Sequence, residues 1–400
     1  MSTRLESIKS IDILMFLAVV VITLVSSPVV QAQSFSVIHN FAGSDGSGPL
    51  AGLVMDANQN LYGTTNYGGQ HSYGVVFKAN RNGEEAVVHS FAGGANDGAY
   101  PEDSLIIDTA GNLYGTTFNG GLANAGTVFK LSSKGVIHIL YSFADGNDGA
   151  NPIARLAIDK NGNLYGTTSA GGTSGNGTVF AVSPAGKHTV LYSFGSGTDG
   201  TIPFAGVTLD AKGNLYGTTS AGGSTGNGTV FELKRSSSGW TEIILHNFEL
   251  QDDGGTPFAG LVFDNSGNLY GAATQGGVNG TDGGGTIFEL RPAGGSWTFT
   301  VLYGLYGWNI SGTFRDLLFD SANGVIYGTT HCDGSYEAGT VYSLAPSSGS
   351  WSYTELYTFT GGTDGLYSFS NLVMDKSGNL YGTTNEGGAT GNGVVFKVAP

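Results

Sequence analysis

The chain has 400 residues, 68 of them Gly, with 11% aromatic and 40% hydrophobic content. A disordered Gly-rich linker would lack those aromatic and β-branched residues, so the composition describes a folded chain dense in turns. The formal net charge is −15 and the 16 Lys and Arg residues form no cluster, which argues against nucleic acid and anionic membrane surfaces as partners.

Arg4 and Lys9 precede an apolar run at residues 13–25, shorter than the ~20 residues that span a bilayer. Val30-Gln31-Ala32 then offers small residues at −3 and −1, so residues 1–32 read as a signal peptide cut after Ala32. The expected mature chain is secreted or periplasmic/extracellular, with no membrane attachment after cleavage. Cys332 is the only cysteine, which excludes an intrachain disulfide and leaves one free thiol.

From residue 34 the sequence is periodic. The stretch "GNLYGTT" stands at residues 111–117, 162–168 and 213–219. Its tyrosine recurs as Tyr62, Tyr114, Tyr165, Tyr216, Tyr270, Tyr327 and Tyr381, at intervals of 51 to 57 residues. Seven copies at this period mean a solenoid or a propeller. Each copy holds four short runs of strand character, which in the third copy lie at 153–158, 163–168, 177–182 and 188–194. Four antiparallel strands per unit make a propeller blade. The expected fold is all-β, a seven-bladed β-propeller over residues 33–400. The last copy lacks a fourth strand, while "SVIHNF" near the mature N-terminus matches "EIILHNF" at 242–248. Residues 34–41 are therefore expected to complete the seventh blade beside 393–398 and hide both edges.

An aspartate closes each first strand: Asp56, Asp108, Asp159, Asp210, Asp264, Asp320 and Asp375. Six of them stand six residues before the motif tyrosine, five in the pattern D-x-x-G-N-L-Y and the first with Gln59 in place of the glycine. Asp caps the turn by accepting backbone N–H bonds, and Gly-Asn supplies its positive-φ positions. The glycine after the tyrosine is read as letting adjacent sheets approach closely. A sevenfold fold needs seven such copies and substrate chemistry does not, so these residues are structural.

The unit D-x-x-G-N-L-Y-G-T-T…G-G…G-T-V-F, repeated over residues 34–400, resembles the Gloeo/Verruco (GloVer) tandem repeat of exported bacterial proteins. The resemblance implies export and a propeller-like ring. It brings no established activity, so no catalytic residue is carried over. The sixth copy departs from the pattern, with His331-Cys332-Asp333 where others have Gly-Gly.

One rim of such a ring gathers the loops between blades and the loops between second and third strands. The inter-blade loops carry Asp45, Asp97, Asp148, Asp199, Asp253 and Asp364, with Asn309 at the aligned place in blade six. One carboxylate per blade does not converge as a hard cation requires, so Asx turns are expected and no cofactor. Asp252, Asp253 and Asp282 are the calcium candidate. The Gly-rich loops, such as "GGTSGNGTVF" at 171–180, lack the following helix and Lys of a phosphate loop and read as flexible turns.

His39, His89 and His246 share a repeat position with Tyr141, Tyr192, Tyr303 and Tyr357, which marks packing. Trp240, Trp297 and Trp351 begin outer strands on the opposite rim. Aromatic residues gather instead on consecutive blades six, seven, one and two: Tyr306, Trp308, His331, Tyr336, Tyr367, Tyr67, His71, Tyr73, Tyr100 and Phe118. Exposed aromatics beside carboxylates suit stacking and hydrogen bonding to sugars or peptides. In the channel, Arg155, Arg315 and Asp316 interrupt small residues, and Arg315 beside Asp316 reads as an ion pair. The expected function is a monomeric, non-enzymatic binding or interaction module for an extracellular glycan or protein. The alternatives are a polysaccharide lyase using His71 or His331 with Tyr336 and Arg315, and a purely structural surface protein.

Overall fold

In each copy the L-Y-G-T-T strand is buried on both faces, as a strand must be when its sheet lies between two others. The computed structural model describes residues 33–237, 239–277, 283–307 and 312–400. The predicted signal segment 1–32, Asp282, Trp308 and Asn309 lie outside the described residues. Seven four-stranded antiparallel sheets follow one another along the chain, and they form a seven-bladed β-propeller. In blade three the strands run from channel to periphery as Ala157–Ile158, Leu164–Thr168, Thr178–Val182 and His188–Ser193. The first strand is shorter than the predicted 153–158. Its leading residues converge on the ring axis, where a Cβ on Gly206 would stand 2.1 Å from the Arg155 carbonyl oxygen of the neighbouring blade.

The seventh blade is built from both chain ends. Ser34–Asn40 pairs antiparallel with Val394–Ala399, from Ser34 opposite Ala399 to Asn40 opposite Val394. Phe35 and Val37 of that strand pack against the core between blades six and seven. Phe41, fully buried, sits edge-on to Phe77 of blade one at 5.0 Å. Without this strand the third strand of blade seven becomes an open edge and two junctions lose aromatic packing.

Seven hydrophobic clusters fill the seven blade junctions. Their recurring element is a phenylalanine ending one blade's fourth strand against the phenylalanine of the next blade's G-T-V-F, as in Phe91–Phe129, Phe143–Phe180 and Phe194–Phe231. The motif glycine accommodates that second ring. A Cβ on Gly166 would lie 2.7 Å from Phe180 and 2.8 Å from Leu156, both in its own blade. The glycine therefore serves packing within a sheet, whereas the sequence suggested approach between sheets.

The motif aspartates hold their hairpins as expected. Asp108 accepts from the Ala110 and Asn112 N–H groups at 2.9 and 2.8 Å, from Asn112 Nδ2 at 2.7 Å and from the Tyr114 hydroxyl at 3.0 Å. Asp56, Asp159, Asp210, Asp264 and Asp375 accept the same set. In the longer hairpin of blade six, Asp320 takes the Ala322 N–H and Asn323 Nδ2. Gln59, with φ 66°, occupies the left-handed turn position that Gly111 and Gly162 fill elsewhere.

The two threonines have separate tasks that the sequence did not disclose. The first donates to the innermost backbone of the next blade: Thr64 to Asp103 O, Thr167 to Ala205 O, Thr218 to Ala259 O, Thr329 to Ser370 O and Thr383 to Ala51 O. The last of these crosses the closure. The second donates within its blade to the loop that follows, as Thr168 does to Ala170 O at 2.9 Å.

A chain beginning at residue 44 is expected to melt far below the mature chain and to aggregate; equal melting curves would refute the closure. Thr167→Val leaves the Ala205 carbonyl buried without its donor, and urea unfolding should show a loss of about 1–3 kcal/mol. Asp108→Ala should cost about 2 kcal/mol near neutrality. Burial raises the Asp108 pKa, but the hydrogen bonds from Asn112, Tyr114 and Ala110 together outweigh it and leave it below its ordinary value of 3.8. A depressed folded pKa means stability present above the unfolded value and lost as pH falls through the folded one. The Asp108→Ala penalty should therefore be full at neutral pH and shrink below about pH 4.

Candidate functional site

Six residues before each of the seven aspartates, the chain turns from the inter-blade loop into the channel. That place is held by Leu50, Glu102, Ile153, Phe204, Phe258, Phe314 and Phe369. The four phenylalanines touch in sequence around blades four to seven, with ring centroids 4.7, 5.3 and 5.2 Å apart. The arc continues through His331, 4.2 Å from Phe369, to Tyr367, 4.6 Å from His331. All of these rings are partly exposed, and they form an aromatic wall over more than half of the mouth.

Beneath the mouth, charged side chains bridge the ring. Arg315 of blade six reaches the carbonyls of Leu50 at 3.3 Å and Glu102 at 2.8 Å, and its Nη1 lies 3.7 Å from Asp103 Oδ2. Asp316 accepts the Gly260 N–H at 2.8 Å and faces Arg155 at 3.9 Å. The neighbours Arg315 and Asp316 thus pair with opposite blades, where the sequence suggested a pair between the two. Burial raises the Asp103 carboxyl pKa, with Arg315 pulling it down and Asp316 pushing it up. Burial likewise raises Glu102. Arg155 and Asp316 also line a cavity of about 390 Å³, together with Leu156, Val207 and Leu261 just ahead of the first strands.

Two residues before the arc position the backbone is left-handed in several blades: Gly48, Tyr100, Asn151, Ile202, Thr256 and Tyr367 have φ between 50° and 62°. Their N–H groups are fixed to the preceding blade, as in Tyr100 to Tyr73 O at 2.9 Å and Tyr367 to Ala338 O at 3.0 Å. Glycine satisfies this geometry in blade one. A Tyr or β-branched Ile there carries strain of about 1–2 kcal/mol.

The sequence-selected aromatics fall into separate groups. Tyr100 is edge-on to both Tyr67 and Tyr73, at 5.7 and 5.5 Å, and forms one cluster on blades one and two. His331 and Tyr367 belong to the arc. Tyr306 and Tyr336 are 63% and 62% exposed; His71 is exposed, and Phe118 is half-buried. Trp308 lies outside the described residues. The phenylalanine arc itself was missed, although its signal was present: an apolar ring at one fixed distance before the repeat aspartate in four consecutive copies.

For the lyase set, the Arg315 guanidinium is engaged with blades one and two. Burial among Phe314, Phe369 and Tyr367 lowers the His331 pKa to about 4, and its Nδ1 is buried without a hydrogen-bond partner. Burial, with Glu337, raises the Cys332 thiol pKa, away from an activated thiolate.

The loop aspartates are occupied. His39, His89, Tyr141, Tyr192, His246 and Tyr357 contact Asp45, Asp97, Asp148, Asp199, Asp253 and Asp364 at 2.7–3.1 Å. Backbone N–H groups complete these turns, such as Ala42 to Asp45 at 2.7 Å. This explains the His/Tyr exchange, because each ring offers one polar atom at the same height. In the calcium candidate, Asp253 is held by His246 and the Glu249 N–H, Asp252 is exposed, and Asp282 lies outside the described residues. The tryptophans pack on the preceding blade's motif tyrosine: Trp297 on Tyr216 at 5.8 Å and Trp351 on Tyr270 at 6.2 Å.

Among solved structures the chain is similar to the extracellular domain of a candidate one-component system from B. thetaiotaomicron. The TM-score is 0.60 at 11% identity, covering 91% of this chain and 40% of that one. It is also similar to a candidate 6-phosphogluconolactonase from Bacteroides uniformis, with TM-score 0.53 at 13% identity, covering 85% of this chain and 98% of that one. At these identities the likeness shows the fold alone. No curated protein matches the sequence. The Gloeobacter/Verrucomicrobia repeat matches residues 25–231 and 205–400. The chain therefore belongs to the Gloeobacter/Verrucomicrobia repeat family.

Proposed function

We propose that the chain is an exported binding module whose ligand, a glycan or peptide, docks at the channel mouth. The observation that carries this reading is the continuous arc Phe204–Phe258–Phe314–Phe369–His331–Tyr367. Partly exposed rings offer flat faces for sugar rings or apolar side chains, and the Glu102 carboxyl on the opposite side offers a polar partner. Strain supports the same reading. Tyr100 and Tyr367 hold a left-handed conformation that glycine would adopt freely, and such outliers cluster where a side chain serves recognition. Export is supported by the leader-like N-terminal sequence and by a fold shared with an extracellular domain. Among the described residues no helix is long and apolar enough to cross a membrane.

A glycan array, followed by calorimetry on the best hit and an absorbance assay for unsaturated uronate, tests this. Binding without turnover is expected. The double variant Tyr100→Gly/Tyr367→Gly should lose at least about tenfold in affinity. Its melting temperature should hold, because relief of about 1–2 kcal/mol of strain per residue offsets ring contacts worth about 0.5–1.5 kcal/mol each. Turnover abolished by His331→Ala would instead establish the lyase. Absence of any binding or turnover would leave a scaffold.

A further inference from the structure

In six blades the fourth strand sets a His or Tyr against the aspartate of the following loop, and the next blade lays one side chain over that His or Tyr. At four junctions the covering side chain is aromatic and stacks: Phe35 on Tyr357, His188 on Tyr141, Phe299 on His246 and Tyr353 on Tyr303. At two junctions it is a glutamate. Glu242 accepts the Tyr192 hydroxyl at Oε2, 3.0 Å away, while its Oε1 is buried without a partner. Glu85 covers His39 and Asp45, where no such hydroxyl exists. His39 Nε2 lies 3.0 Å from Asp45 Oδ2, and Glu85 Oε1 is buried with no hydrogen-bond partner.

The ligand atoms of His39, Asp45 and Glu85 all lie within 4.8 Å of one another. We propose that these three side chains bind a first-row divalent cation of the zinc type across the seam where the ring closes. One imidazole nitrogen and two carboxylates form a borderline-to-hard set that suits zinc and leaves a fourth position for water. Two carboxylates held together match a dication, and the ion supplies the buried Glu85 Oε1 with a partner. The three ligands come from three segments. His39 lies on the N-terminal strand that completes blade seven, Asp45 on the loop after it, and Glu85 on the fourth strand of blade one. A bound ion therefore cross-links the non-covalent closure and stabilises the ring by mass action.

The mature chain, stripped with chelator and titrated with zinc chloride, should bind one equivalent in a saturable calorimetric step. Its melting temperature should climb with zinc concentration. Glu85→Gln and His39→Tyr should each weaken binding at least about tenfold, and His39→Tyr places there the residue that blades two, three, five and six use. Glu242→Gln and Cys332→Ser should bind as the parent does. Cobalt in place of zinc should give a visible absorption band that His39→Tyr lacks. A parent chain without a saturable step, or a step that survives both Glu85→Gln and His39→Tyr, overturns the proposal.

Discussion

Everything in this ring depends on one pairing between the two ends of the chain. The six residues from Val394 to Ala399 take their fourth-strand partner from Ser34–Asn40. A propeller blade is stable only between two neighbours, because its second and third strands are apolar on both faces. Opening the seventh blade would expose an edge and also strip one face from blades six and one. The Thr383–Ala51 hydrogen bond and the Phe41–Phe77 contact show the same inter-blade chemistry crossing the seam as elsewhere. Closure thus makes the chain's stability a property of the whole ring.

Local chemistry was legible in the sequence because local geometry is repeated. An aspartate at a fixed distance from a Gly-Asn turn and a tyrosine can do little but hold a hairpin, and seven copies gave it away. The fourth-strand match between residues near 34 and near 242 was enough to foresee closure. Less legible was anything set by distance through space. The first threonine of G-T-T bonds a carbonyl about forty residues ahead in the next blade, as Thr167 does with Ala205. Arg315 answers to Asp103 across the channel, although its neighbour in sequence is Asp316. Arg315 and Asp316 lie in the bend ahead of the strand Leu318–Asp320, and their side chains reach different blades, so a contiguous charge pair was the wrong geometric inference.

The candidate site was partly legible for the same reason. Tyr100, Tyr367 and His331 stood out as departures from a plain repeat, and they do stand at or near the channel mouth. The four phenylalanines did not stand out, because a hydrophobic residue in a first strand looks like core. Only their position on the rim turns Phe204, Phe258, Phe314 and Phe369 from packing into a surface.

The division of labour follows from where the backbone is fastened. At the rim, the left-handed residue of six loops is tied to the preceding blade through its own N–H, so the path of the chain is set without the side chain. Inside the junctions the opposite holds. Gly166 leaves space that only the Phe180 ring fills, and a larger residue at the glycine would collide. Side chains at the junction are therefore fixed by packing, while those at the rim change from Gly48 to Asn151 to Tyr367 with the backbone held in the same left-handed conformation. A ring built this way can alter what it presents at its mouth blade by blade. Two residues further on, blade three presents Ile153 where blades four to seven present phenylalanine.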